Sequence, residues 1–195
     1  RVQVILDYGV EGKQGESFYD EARDQFINVI DFAATQPNIP FISIKLTGLV
    51  RFQLLEEIHC KMVSLELPLL ERYEKALSLL PLELLNEWGR VCSRMEKICF
   101  HAAIRQVAVA LDAEETWIQE PLDALAAVMM ELCNKKRPIV YNTFQLYRSD
   151  RLAFIKQMHT LATECGYILG AKLVRVAYME KERKRAALMG YASPI

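Results

Sequence analysis

An α/β fold of the (β/α)8-barrel type, incomplete at about five βα units, is what this sequence predicts. Three observations predict it. Five strand-like runs alternate with helical ones, each strand run separates small or polar from bulky aliphatic residues by parity, and polar groups gather at the carboxyl ends of the strand runs. Strands alternating with helices pair in parallel, and the right-handed crossover rule leaves a barrel or an open doubly wound sheet. The carboxyl end of a barrel's strands is where barrel enzymes build their active sites.

The strand-like runs are residues 2–8, 41–47, 106–112, 138–144 and 167–176. Helical patterns occupy 16–35, 118–134 and 150–165, each long enough to cross back over a sheet. About 53–104 reads as helix throughout, a helical insertion of two or three helices between the second and third strands, with Leu65, Leu69, Leu70 and Tyr73 at helical spacing. Pro81 suits the first turn of a further helix. In the second strand Ser43, Lys45 and Thr47 share one face and Ile42, Ile44 and Leu46 the other. In the third, Ala108, Ala110 and Asp112 oppose Val107, Val109 and Leu111, and in the fourth Tyr141, Thr143 and Gln145 fall together. The aliphatic faces suit contact with helices, and the small and polar faces suit a roomy barrel interior. Residues 1–195 read as one partial barrel domain.

Composition narrows the functions. Lys plus Arg number 24 against 25 Asp plus Glu, a net charge of −1, which gives no support to nucleic-acid binding. Five cysteines (60, 92, 99, 133 and 165) form no C-x-x-C pair, which points to a reducing compartment and free thiols. His59, His101 and His159 are dispersed, so no metal site is expected. Gly-rich phosphate loops and a G-x-S-x-G elbow are missing, and Gly166 and Gly170 read as turn residues. No apolar run reaches the roughly 18–20 residues of a spanning helix, and the opening residues read as strand and not as a signal peptide. Both ends read as boundaries within a longer protein.

Five motifs then occur in order. Leu6-Asp7-Tyr8-Gly9-Val10-Glu11-Gly12 ends the first strand, Ser43-Ile44-Lys45-Leu46-Thr47-Gly48-Leu49 the second, and Leu111-Asp112-Ala113-Glu114-Glu115-Thr116-Trp117 the third. Tyr141-Asn142-Thr143-Phe144-Gln145-Leu146-Tyr147-Arg148 closes the fourth, and Lys172-Leu173-Val174-Arg175-Val176-Ala177-Tyr178-Met179-Glu180-Lys181-Glu182-Arg183 the fifth. Together they resemble the proline dehydrogenase family, which oxidises L-proline to Δ1-pyrroline-5-carboxylate with FAD in a distorted (β/α)8 barrel. The resemblance covers nearly the whole chain apart from the helical insertion.

The resemblance implies roles. Lys45 matches a lysine that contacts the substrate carboxylate, and Asp112 an aspartate in that lysine's network; a purely structural Asp–Lys pair is the alternative. Tyr178, Leu173 and Ala177 match residues lining the proline pocket. Lys172 and Arg175 match two basic flavin-binding positions, and Thr143 and Gln145 fall where the family places polar groups against the cofactor. Many relatives have these two basic residues in the reverse order, and many have glycine where this chain has Val176. Residues 180–185 read as a solvated helical face with i,i+4 pairs.

Family members continue through three more strands and a helix with paired arginines that clamp the carboxylate; no Arg-Arg dipeptide occurs in this sequence. Five strands of such a barrel leave open edges, which implies weak or no FAD binding by this chain alone and self-association through the edges or a flatter packing. Alongside the enzyme reading stands a non-catalytic one, a fragment or degenerate half-barrel, and more remotely a methylenetetrahydrofolate reductase relative. The family's electron acceptor is a membrane quinone. The expected location is therefore cytoplasmic and peripheral to a membrane, or mitochondrial in a eukaryote, although no basic amphipathic helix is visible.

Overall fold

The computed structural model describes residues 2–9 and 14–195, so Val10, Glu11 and Gly12 of the first motif lie outside the described residues. Its strands are β1 (Ile5–Asp7), β2 (Phe41–Ile44), β3 (Ala108–Leu111), β4 (Val140–Gln145) and β5 (Ala171–Val174). All neighbours pair in parallel, in the order β1-β2-β3-β4-β5. An order that never reverses has no topological switch point, so the winding is a barrel's and not that of a doubly wound sheet.

Helix α1 (Glu16–Ala34) joins β1 to β2, α5 (Gln119–Cys133) joins β3 to β4, and α6 (Arg151–Glu164) joins β4 to β5. Helix α7 (Met179–Met189) follows β5. Between β2 and β3 lie three helices, α2 (Phe52–Val63), α3 (Leu69–Ser78) and α4 (Leu82–Arg105). Leu65 falls in the connection before α3, because Pro68 forces the residue before it out of the helical region and caps the new helix. Helix α4 packs along α1 and α5, and buried Arg94 ties it to Asp20 (2.9 Å) and Glu16 of α1. It ends where Gln106 takes a left-handed conformation (φ 59°) that turns the chain into β3.

The parity of each strand is realised. Ile42, Ile44, Val109, Leu111, Val140 and Phe144 point outward into one continuous core under the helices. On the inner face Phe41 and Tyr141 meet edge to face across β3 (centroids 4.9 Å apart), which the small Ala108 and Ala110 between them permit. An aromatic contact therefore fills the amino-terminal end of the interior, and the carboxyl end is left to polar groups. Asn134, fully buried, shapes the α5–β4 turn by accepting from the amides of Ile139 and Val140 and donating to the carbonyls of Val140 and Ile168.

The two glycines read as turn residues part company. Gly166 is one, with φ 65° at the end of α6. Gly170 instead marks a close approach: a Cβ there would lie 2.2 Å from the carbonyl oxygen of Val140 and 3.0 Å from Tyr141 Cα. Because both neighbours are backbone, Gly170→Ala must push β5 from β4. The expected loss is about 3 kcal/mol, readable as a lowered urea midpoint; an unchanged midpoint would refute the close approach.

Candidate active site

The inner-face residues converge at the carboxyl ends of β2–β5. The Asp112 carboxylate accepts the Ser43 hydroxyl at 2.6 Å and the Lys172 ammonium at 2.5 Å, with Lys172 also 3.4 Å from Ser43. The register explains the reach: Lys172 is paired with Thr143 on β4, so its long side chain passes over that strand to meet the end of β3. Three strands are thereby joined by one charged network. Beside it opens a cavity of about 550 Å3, lined by Lys45, Asp112, Ala113, Thr143, Gln145, Lys172, Val174, Ala177 and Tyr178.

Thr143 and Gln145 are buried and held. The Thr143 hydroxyl donates to the Leu111 carbonyl at 2.6 Å, while the Gln145 amide donates to the Glu114 carbonyl at 2.7 Å and accepts from Arg148 at 3.2 Å. These bonds fix the loop after β3 to β4. Leu173 and Arg175, by contrast, do not reach the cavity. Lys172 and Val174 share the inner face, so Leu173 must point away; it is 57% exposed, and Arg175 is exposed as well. Val174, which strand parity alone would have chosen, takes the wall position instead.

In the 180–185 stretch Glu180, Lys181, Arg183 and Lys184 are exposed as a solvated face should be, and Glu182 departs from it. Glu182 is fully buried and accepts from both the amide (2.8 Å) and the hydroxyl (2.7 Å) of Thr116. Lys181 pairs with Glu115, and the Arg185 guanidinium lies 4.2 Å from the Trp117 ring centroid. The sequence signal was available: a Glu-Thr-Trp run facing a Lys-x-x-x-Arg helix is complementary in charge and stacking, but only across a fold that brings 115–117 to 181–185.

Two titratable groups, buried Glu114 and half-buried His59, flank this region. Burial pushes the Glu114 carboxyl up to about 7, although the Thr47 amide and hydroxyl both donate to it. Burial, aided by the fields of Arg148, Arg72 and Arg185, pushes His59 down to about 4. The folded state binds the Glu114 proton more tightly than the unfolded state, so that group's stabilisation is present at low pH and lost as pH rises from about 4.5 to 7. The folded state binds the His59 proton less tightly, so its stabilisation is present above about 6.5 and lost as pH falls towards 4. The slopes oppose each other, at most about 1.4 kcal/mol per pH unit each. Glu114→Gln should leave stability rising with pH between 4.5 and 6.5, and His59→Gln should leave it falling. Urea midpoints at three pH values decide this; parallel profiles for wild type and both variants would refute it.

A barrel-wound parallel sheet whose lysines and aspartate gather around a cavity at the strands' carboxyl ends has the layout of the (β/α)8-barrel class, whose sites lie at that end. The chain belongs to the proline dehydrogenase family: the family model described as Proline dehydrogenase matches residues 1–195. Hydroxyproline dehydrogenase of Xenopus laevis is 30% identical over 100% of this chain and 44% of its own length. Proline dehydrogenase 1, mitochondrial, of Dictyostelium discoideum is 30% identical over 100% of the chain and 38% of its own. The chain thus spans less than half the length of these relatives. Among solved structures, proline utilization A from Bdellovibrio bacteriovorus superposes with a TM-score of 0.74 at 14% identity, over 99% of this chain and 19% of that one. A Bradyrhizobium japonicum proline utilization A gives 0.73 at 20% identity, over 100% and 18%. At such identities these two likenesses establish the fold. No described helix is long and apolar enough to cross a membrane.

Proposed function

We propose that this chain provides the substrate-holding half of a flavin-dependent L-proline dehydrogenase. The observation that carries the reading is the Ser43–Asp112–Lys172 network beside Lys45 on one small cavity. Proline is a zwitterion with an apolar ring, and the cavity offers ammonium groups for its carboxylate with Ala113, Val174 and Ala177 as an apolar wall. Asp112 fixes where the Lys172 ammonium sits, and Tyr178 closes the side of the cavity next to α7. The same residues fit FAD at this end, because cationic side chains beside buried, pre-oriented Thr143 and Gln145 suit an electron-rich ring or a phosphate. FAD held there would supply a hydride acceptor for the ring carbon beside the deprotonated nitrogen, and the iminium so formed would lose its N–H proton to solvent to leave Δ1-pyrroline-5-carboxylate. Electrons then pass to a quinone, with the protein peripheral to the membrane, mitochondrial in a eukaryote.

The test is anaerobic mixing of the purified full-length protein with L-proline. Bleaching of the flavin bands with one imine formed per flavin is expected; an oxidised flavin after addition would sink the reading and leave the non-catalytic one. The Xenopus relative favours a second reading, hydroxyproline as substrate, and comparison of kcat/KM for the two amino acids separates them. A second copy covering the open strand edges is the expected state of the 195-residue chain alone, and sedimentation would show it as a dimer or larger.

A further inference from the structure

Helix α7 carries Tyr178 at its amino-terminal boundary, and Tyr178 and Ala177 form one wall of the cavity. The opposite wall, Asp112 and Ala113, begins the loop that runs through Thr116. What holds the two walls at their separation lies just outside the cavity. Helix α7 buries only Glu182 and Ala186 among its residues, so packing alone attaches it weakly. Three contacts tie it to the loop. Lys181 is 59% exposed and Arg185 35% exposed at the side chain, so their contacts are largely screened. Glu182 is 0% exposed, and both its oxygens are taken by the two donors of one residue, Thr116.

We propose that Glu182 is a positioning residue: by gripping Thr116 it fixes the separation between the Asp112 wall and the Tyr178 wall, and so sets the affinity of the cavity for its substrate. The linkage is short and stiff on both sides. The Glu182 amide donates to the Tyr178 carbonyl at 2.9 Å, one helical turn away. On the loop side Glu114, between Asp112 and Thr116, is pinned by Thr47, Gln119 and Gln145. The loop side is therefore a fixed anchor, and a displacement of Glu182 from Thr116 is passed on to the Tyr178 wall. Residues 175–177, between β5 and the helix, are exposed. The inference rests on the proline-site reading of the cavity.

The experiment compares the full-length flavoprotein with its Glu182→Ala, Glu182→Gln and Thr116→Val variants, using Glu180→Gln, exposed on the same helix, as control. In Glu182→Ala, KM for proline and the dissociation constant of tetrahydrofuroate, a proline analogue read from the flavin spectrum, should rise about tenfold while kcat falls less than threefold. Without substrate, hydrogen exchange at the Thr116 amide should speed up at least tenfold. Glu182→Gln, which keeps an oxygen for that amide, should recover most of the loss; Thr116→Val should move KM the same way and add little to Glu182→Ala. If Glu182→Ala does not fold, Glu182→Gln and Thr116→Val give the same reading. A lower melting temperature with KM and the analogue's dissociation constant unchanged would overturn the inference alone, as would full additivity of the two sites. Failure of proline to reduce the wild-type flavin would overturn the site reading and this inference with it.

Discussion

Asp112→Ala in the full-length protein is expected to lower kcat/KM for proline by about 100-fold, equivalent to about 2.7 kcal/mol of lost transition-state stabilisation. The carboxylate accepts from Ser43 on β2 and Lys172 on β5, so its removal leaves an ammonium and a hydroxyl without that acceptor at a partly buried site. Breaking a fully buried pair costs about 3–5 kcal/mol. Here the side chains are 19% and 27% exposed, which lets water recover part of the loss. Asp112→Asn retains an oxygen for Ser43 and gives up the charge, and a loss of about tenfold is expected of it. Steady-state kinetics with proline check both variants; Asp112→Ala within twofold of wild type would show the network to be structural only.

The largest stability effect is expected from Asp123→Ala. Asp123 and Arg151 are 1% and 4% exposed at the side chain and pair at 3.0 Å behind β4. Asp123 also accepts from Asn142 (2.9 Å) and Gln119 (3.0 Å), so alanine strands two buried amide donors and the Nη1 of Arg151, whose guanidinium keeps Asp150 and its stack on Phe154. The expected cost is about 3–5 kcal/mol. Asp123→Leu combined with Arg151→Met should cost less than either single change, because no charge is then left unpaired. Urea unfolding of the four proteins measures this, and a double variant worse than both singles would contradict it.

How far these features were legible in the sequence follows from the range of the interactions. Strand parity is local, so Ile42 and Ile44 outward and Ser43 inward could be read from the run 41–47, and the helices at 16–35, 118–134 and 150–165 end within two residues of where the periodicity puts them. The same parity rule, applied to 171–174, places Lys172 and Val174 inward; matching by resemblance alone chose Leu173, which faces away. Asn142 shows the limit of the rule: it sits on the outward face among aliphatic neighbours and is polar because Asp123 of α5 waits there. Long-range partnerships such as Lys172 with Asp112, or Glu182 with Thr116, are set by register and helix docking, which no local pattern encodes.

The central claim is that the carboxyl-end cavity between Lys45, Asp112 and Tyr178 is the proline site. A crystal structure of the full-length flavoprotein with tetrahydrofuroate tests it most directly. The account predicts the analogue in that cavity, its carboxylate within hydrogen-bonding distance of Lys45 and its ring against Ala177 and Tyr178. Density for the analogue elsewhere, with this cavity filled by water alone, would contradict it.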